Sequence, residues 1–208
     1  MEVYIDEKKV DDQFSPDGTL EDAVREIQAN VHQTGRMVIG IKCDGRVVDS
    51  VDMIETLKKP APTINRLDVL TGTKEALVTD AMDQAATSLD ETESASQRIA
   101  ELLIEGKTND AVKDLGDCLR IWQQIHEAIA KSIELLGVDA DELMVRDDTL
   151  LEAICRPKDV LLQIRDALQA KDHVLLADIL QYEFGDVTNT WHAIIARIRQ
   201  QAEDQQAD

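Results

Sequence analysis

Aromatic side chains are scarce, with two Trp, two Tyr and two Phe making 3% of 208 residues. Any core must therefore be built from Leu, Ile, Val and Ala, which suits helix packing better than a β-sandwich. Modules that stack nucleic-acid bases on aromatic rings are disfavoured by the same shortage. Cysteine is also rare. Cys43, Cys118 and Cys155 are odd in number and far apart, and no CxxC occurs, so a disulfide framework is not expected and reduced cytosolic thiols are. No stretch approaches the roughly 18 apolar residues of a membrane span. The opening Met-Glu-Val-Tyr-Ile-Asp lacks the basic start and apolar run of a signal peptide. The expected location is the cytoplasm.

Basic residues are outnumbered, 22 against 42 acidic, and the net charge is −20. That field repels phosphate backbones and anionic membrane surfaces, so neither nucleic acid nor membrane is an expected partner. Solubility accounts for the charge, and a basic protein partner is the sharper reading. Residues 1–72 carry 9 basic and 14 acidic side chains, whereas the remainder carries 13 and 28, so the acidity lies mostly in the second part.

Catalytic patterns are missing as well. The nine glycines are scattered without a phosphate-cradling motif, and no Gly-x-Ser-x-Gly elbow occurs. His32, His126, His173 and His192 have no His or Cys partner at ligand spacing. Asp139-Ala140-Asp141-Glu142 lacks the glycine and distal Glu of a calcium loop. The acidic runs read as solvated helix faces. No catalytic residue, metal ligand or cofactor site is therefore assigned, and a non-enzymatic protein is expected.

What the chain does contain is a change of period. Residues 2–5 read as a strand, and a second strand covers Lys9 to Phe14 before the Ser15-Pro16-Asp17-Gly18 turn. Thr19 fits an N-cap with Asp22 three residues on, ahead of a helix that places Leu20, Ala23, Val24, Ile27 and Val31 on one face. Gly35 ends it. Met37–Cys43 and Arg46–Val48 flank an Asp44-Gly45 hairpin turn, a helical turn covers Val51 to Leu57, and Ile64 to Leu70 reads as a last strand. The segment Thr19-Leu20-Glu21-Asp22-Ala23-Val24-Arg25-Glu26-Ile27-Gln28, followed by these elements in this order, resembles the ubiquitin-like β-grasp family. The resemblance covers residues 1–72 and implies a recognition module. It does not imply conjugation, because Leu70-Thr71-Gly72 continues into helix where the family's modifiers end in Gly-Gly.

Residues 73–208 read as helical. Leu77, Ala81, Ala85, Leu89, Ala95, Ile99, Leu102 and Leu103 mark a first helix that breaks at Gly106. Val112, Leu115, Leu119, Trp122, His126, Ile129, Ile133 and Leu136 then alternate steps of three and four, a heptad seam that makes His126 a core imidazole. A second stripe of Cys118, Ile121, Ile125, Ala128 and Leu135 widens the face. Gly137 caps the helix, and Asp139 with Glu142 restarts it. Pro157 opens another helix with Val160, Leu161, Ile164 and Leu168 inward, and a last helix runs from Asp172 through Ile198. Cys118 and Cys155 are read as small hydrophobes on apolar faces. Leu103–Leu115 also lines up with Ala167–Ile179, 64 residues later.

The expected architecture is α+β: a ubiquitin-like β-grasp head, residues 1–72, and an all-α antiparallel bundle of four or five helices, residues 73–208. The expected function is non-catalytic interaction with another protein, as an adaptor, assembly factor or chaperone-like subunit. Tyr182 and Glu183, in an aromatic-rich stretch of the last helix, are the candidate partner-binding residues. Self-association through residues 112–136 is compatible with that reading. The alternative is a small-molecule or metal-binding protein, or an enzyme, with an acidic pocket between head and bundle.

Overall fold

The computed structural model describes residues 1–10, 18–49 and 52–207. The turn at 15–17, the end of the second strand (residues 11–14) and Val51 lie outside them. The chain divides into two compact units, Met1–Leu77 and Val78–Asp208.

The first unit is a five-stranded mixed sheet crossed by one helix. In chain order come β1 (Glu2–Ile5), β2 (Lys8–Val10), α1 (Leu20–His32), β3 (Met37–Cys43), β4 (Arg46–Val47), α2 (Met53–Leu57) and β5 (Arg66–Gly72). The strand order is β2-β1-β5-β3-β4, with β1 and β5 parallel and the other pairs antiparallel. Two hairpins thus join through a central parallel pair, the β-grasp topology. Period decides which side chains meet. Leu20, Ile27 and Val31 of α1 share a face and pack against Val3, Ile41, Leu67 and Val69, the inward residues of three strands. Asp6, in the left-handed region at φ 46° within the β1–β2 turn, ties that turn to β5. Its carboxylate accepts from the Thr71 backbone N–H (2.8 Å) and hydroxyl (2.5 Å) and from Arg36 (3.1 Å).

The helix α1 begins with a full capping box. The Thr19 backbone N–H donates to Asp22 Oδ2 (2.9 Å), and the Asp22 backbone N–H donates back to Thr19 Oγ1 (3.3 Å). The bond from the Thr19 N–H, with that from its hydroxyl, holds the Asp22 carboxyl below its usual range.

The second unit is built from α3 (Lys74–Ile104), α4 (Thr108–Leu136), a two-stranded hairpin of β6 (Met144–Val145) and β7 (Asp148–Thr149), α5 (Leu150–Cys155), α6 (Pro157–Ala170), α7 (His173–Asp178) and α8 (Phe184–Ala207). A wide π-helical turn, Ile179–Glu183, joins α7 to α8, so six helices make five rods. No helix restarts at Asp139. Its side chain accepts from the Asp141 backbone N–H (2.9 Å), and Arg146 takes φ 57° at the hairpin turn, both incompatible with continuing a helix.

Burial in α3 and α4 follows a strict heptad. Val78, Met82, Ala85, Leu89, Thr92, Ser96, Ile99 and Leu103 are buried on α3. Ala111, Leu115, Cys118, Trp122, Ile125, Ile129, Ser132 and Leu136 are buried on α4. The α4 core thus interleaves the two stripes seen in the sequence, which rotates His126 onto an exposed shoulder. Its ring lies 5.9 Å from that of Trp191, and a polar imidazole avoids the cost of full burial there. Leu161 is likewise exposed, because α6 faces inward through Pro157, Ile164 and Ala167.

On α7 and α8 the buried stripe reads Leu176, Leu180, Phe184, Thr188, Trp191, Ile195, Ile198 and Ala202. It matches α4 except at one step. Leu180 to Phe184 spans four residues where Leu115 to Cys118 spans three. The extra residue is taken up by the π-helical turn, in which the Phe184 backbone N–H reaches Ile179 O.

Three rings meet at the centre. Trp122 lies 5.1 Å from Phe184 and 5.0 Å from Trp191, at tilted angles. Trp122 Nε1 donates to Thr92 Oγ1 (3.2 Å), which itself donates to Leu89 O (2.8 Å).

Two outcomes are expected from these contacts. Thr92→Val keeps the volume but leaves the Trp122 N–H without its acceptor, at a cost of about 1–3 kcal/mol in chemical denaturation. A cost near zero would show that the bond contributes nothing. Thr19→Ala is expected to lower stability by about 1 kcal/mol. Because the Asp22 carboxyl is depressed in the folded state, its contribution is present above the unfolded pKa and lost as pH falls through the folded one. The Thr19→Ala deficit should therefore shrink on acidification, as measured by urea melts across pH 3–7.

Candidate functional site

Tyr182 and Glu183 both sit on the π-helical turn and both face solvent. The wide turn is a consequence of packing. It keeps Leu180 and Phe184 on the buried stripe and rotates the residues between them outward. Tyr182 is 70% exposed, and Val174 and Leu175 on α7 are 74% and 46% exposed. Leu175 and Tyr182 are seven residues apart on the same rod, Leu175 on α7 and Tyr182 within the wide turn. Three apolar side chains on seven exposed or half-exposed positions is unusual in a helix whose opposite face fills a core. Among the described residues Tyr182 and Glu183 have no hydrogen-bond or ion-pair partner.

A second feature was not legible as a site. Beside the core seam, α3 carries Ala81, Ser88, Ala95 and Leu102, and α4 carries Asp114, Ile121, Ala128 and Leu135, each set at seven-residue steps and each residue half-buried. Six of them, Leu102 and Leu135 excepted, line an open groove along the α3–α4 hairpin. Two hollows of 570 and 210 Å³ lie along it and share Ile121. The larger is rimmed by Asp90, Glu91, Asp114 and Asp117, with Arg98 the one basic side chain lining it. The smaller is lined by Gln84, Ser88, Gln124 and small apolar residues, without a charge. Arg98 lies 3.7 Å from Asp114, Arg120 pairs with Asp117 at 2.9 Å, and His192 approaches Asp90 at 3.1 Å. Ile121 and Ala128, whose spacing predicts a widening of the core face of α4, line this groove. The available signal was that α3 and α4 each hold two heptad stripes, more than one interface needs.

Cys118 is buried, and loss of hydration pushes its thiol up to about 11. Cys155 is exposed at the end of α5, because α5 buries Leu150 and Ala153 instead. Among the described residues no group of three or more His, Cys, Asp or Glu is gathered as a metal ion requires. Among them too, no helix is long and apolar enough to cross a membrane.

Iodoacetamide labelling followed by peptide mass mapping is expected to modify Cys155 first and Cys118 only on unfolding. Equal rates at the two sites would contradict the burial of Cys118.

Comparison with known families divides the chain at much the same place as its contacts. A profile described as the TP0873 N-terminal domain matches residues 1–73, and one described as a domain of unknown function, DUF8042, matches residues 80–194. No curated protein and no solved structure matches the chain. With more than half of its length covered by that second profile, the chain belongs to the DUF8042 family.

Proposed function

We propose that this is a non-catalytic interaction protein of the cytoplasm, an adaptor, assembly factor or chaperone-like subunit whose helical unit docks another protein. The observation that carries this reading is the set of exposed apolar side chains Val174 and Leu175 on α7 and Tyr182, beside Glu183, on the π-helical turn that follows. Such turns recur at functional sites because they re-aim side chains without breaking a helix. Tyrosine is favoured at the centre of interfaces, since it supplies a large apolar face and a polar tip at low entropic cost. The surplus of acidic side chains supports a partner of positive charge, drawn in by long-range attraction and fixed by the apolar contact. The β-grasp head offers a second recognition surface on the same chain.

The test is affinity capture from the native host at low and moderate salt, comparing the natural chain with Tyr182→Ala and with Glu183→Lys. One stoichiometric partner is expected, lost with Tyr182→Ala and weakened by Glu183→Lys, while thermal melts of the variants stay unchanged. If truncation of Tyr182 behaves as a hot spot, affinity falls about 30-fold or more, the equivalent of 2 kcal/mol. Retention of the partner by both variants would remove this surface from consideration.

A further inference from the structure

From the α3–α4 groove we infer a second docking site, one that takes a partner helix with a heptad apolar stripe and Lys or Arg side chains confined to one end. The inference rests on the reading of the helical unit as an interaction module, but uses a face separate from Tyr182. Three properties of the groove define its occupant.

The floor sets the secondary structure. Its residues recur every seven positions on both walls, as in Ala81, Ser88 and Ala95 opposite Ile121 and Ala128. A seven-residue repeat stays in line only with another helix that supercoils around the pair, so an extended segment would lose register after one or two turns. From Ala81 to Arg98 the groove is about 25 Å long at 1.5 Å per residue, close to five helical turns. Ala and Ser in the floor let a third backbone approach closely.

Charge sets the polarity. The end near the α3–α4 connection presents four carboxylates, of which Asp114 and Asp117 meet Arg98 and Arg120 and Asp90 meets His192, and keeps an acidic surplus, whereas the lining at the end near Ala81 and Ala128 is neutral. The existing cations are themselves exposed, so their pairs add little and yield readily to an incoming Lys or Arg.

The same charge argues against a second copy of this chain. Each copy carries a net −20, and two such copies repel one another.

The experiment uses the full chain and a synthetic four-heptad helical peptide with Ala and Leu on its stripe, Lys over one terminal half and Gln elsewhere. Its controls are a Glu-for-Lys version and a scrambled version of equal composition. Binding is read by fluorescence anisotropy and located by amide shifts in a ¹H–¹⁵N spectrum. The Lys peptide is expected to bind, more weakly as salt rises, and to shift Ser88, Ala95, Ile121 and Ala128. Asp114→Asn with Asp117→Asn should weaken it about tenfold, the loss of roughly 1.4 kcal/mol of surface attraction. Ala95→Gln should block it, and Tyr182→Ala should leave it unchanged. Absence of binding by the Lys peptide, equal binding of the Glu or scrambled peptide, or loss through Tyr182→Ala in place of the groove variants would each overturn the inference. Since the natural partner's dependence on Tyr182 is read separately, the two sites can fail independently.

Discussion

The helical unit is organised around three rings. In a chain with six aromatic residues, both tryptophans and Phe184 meet where α4 and α8 cross, and Thr92 of α3 satisfies one indole. Burying these large side chains constrains everything along the same rods. Phe184 and Trp191 must both lie on the buried stripe of the last rod, while Leu176 and Leu180 must continue it on the other side of the turn. An uninterrupted α-helix cannot meet both demands at this spacing. One residue too many is absorbed by widening a single turn. The outward rotation of Tyr182 is therefore the other face of a packing solution, imposed where the core makes its strongest demand.

The head obeys a different economy. Its core is aliphatic, and its turns are held by short-range polar bonds. The Asp6 carboxylate is raised in pKa by burial, yet the Thr71 hydroxyl and N–H and the Arg36 charge together leave it below its usual value. It thus fixes three strand ends at once. On the outer face the Arg66 guanidinium stacks 3.9 Å from the Tyr4 ring centroid while bonding both oxygens of Asp68 (3.0 and 2.9 Å from Nε). Polar ladders of this kind let a small sheet keep one face out of the core.

Much of the fold could be read from the sequence because it depends on local signals. The Thr19–Asp22 box, the Asp44-Gly45 turn, the Gly137 cap at φ 66° and Pro157 at the first position of α6 each act within one turn of chain. What escaped depends on neighbours. Helical spacing shows that α4 is amphipathic, but two adjacent stripes are equally apolar, and only the partners choose between Leu119 and Cys118 for the interior. The hairpin at Met144–Thr149 has too few residues to leave a period. Leu175 and Tyr182 lie on a helix whose pattern counts as ordinary until the inserted residue is noticed. The groove was hidden for a similar reason, since an unused stripe looks in sequence like extra core.

The near-match between Leu103–Leu115 and Ala167–Ile179 acquires a definite form in three dimensions. Lys107 N–H reaches Leu102 O and Gly106 N–H reaches Leu103 O, just as Asp172 N–H reaches Ala167 O and Lys171 N–H reaches Leu168 O. The equivalence is Gly106 with Lys171, both left-handed at φ 78° and 55°, which moves the alignment from 64 to 65 residues. Past the wide turn it becomes 66, pairing Cys118 with Phe184 and Ile125 with Trp191. The two hairpins are thus alike at their tips and out of phase along their stems. A hairpin borrowed from a second molecule can replace its own counterpart but cannot stand in for the other one, because its stripe would turn away from the core partway down. The inserted residue gives each half of the bundle an address, and assembly from two first halves or two second halves is discriminated against by register alone.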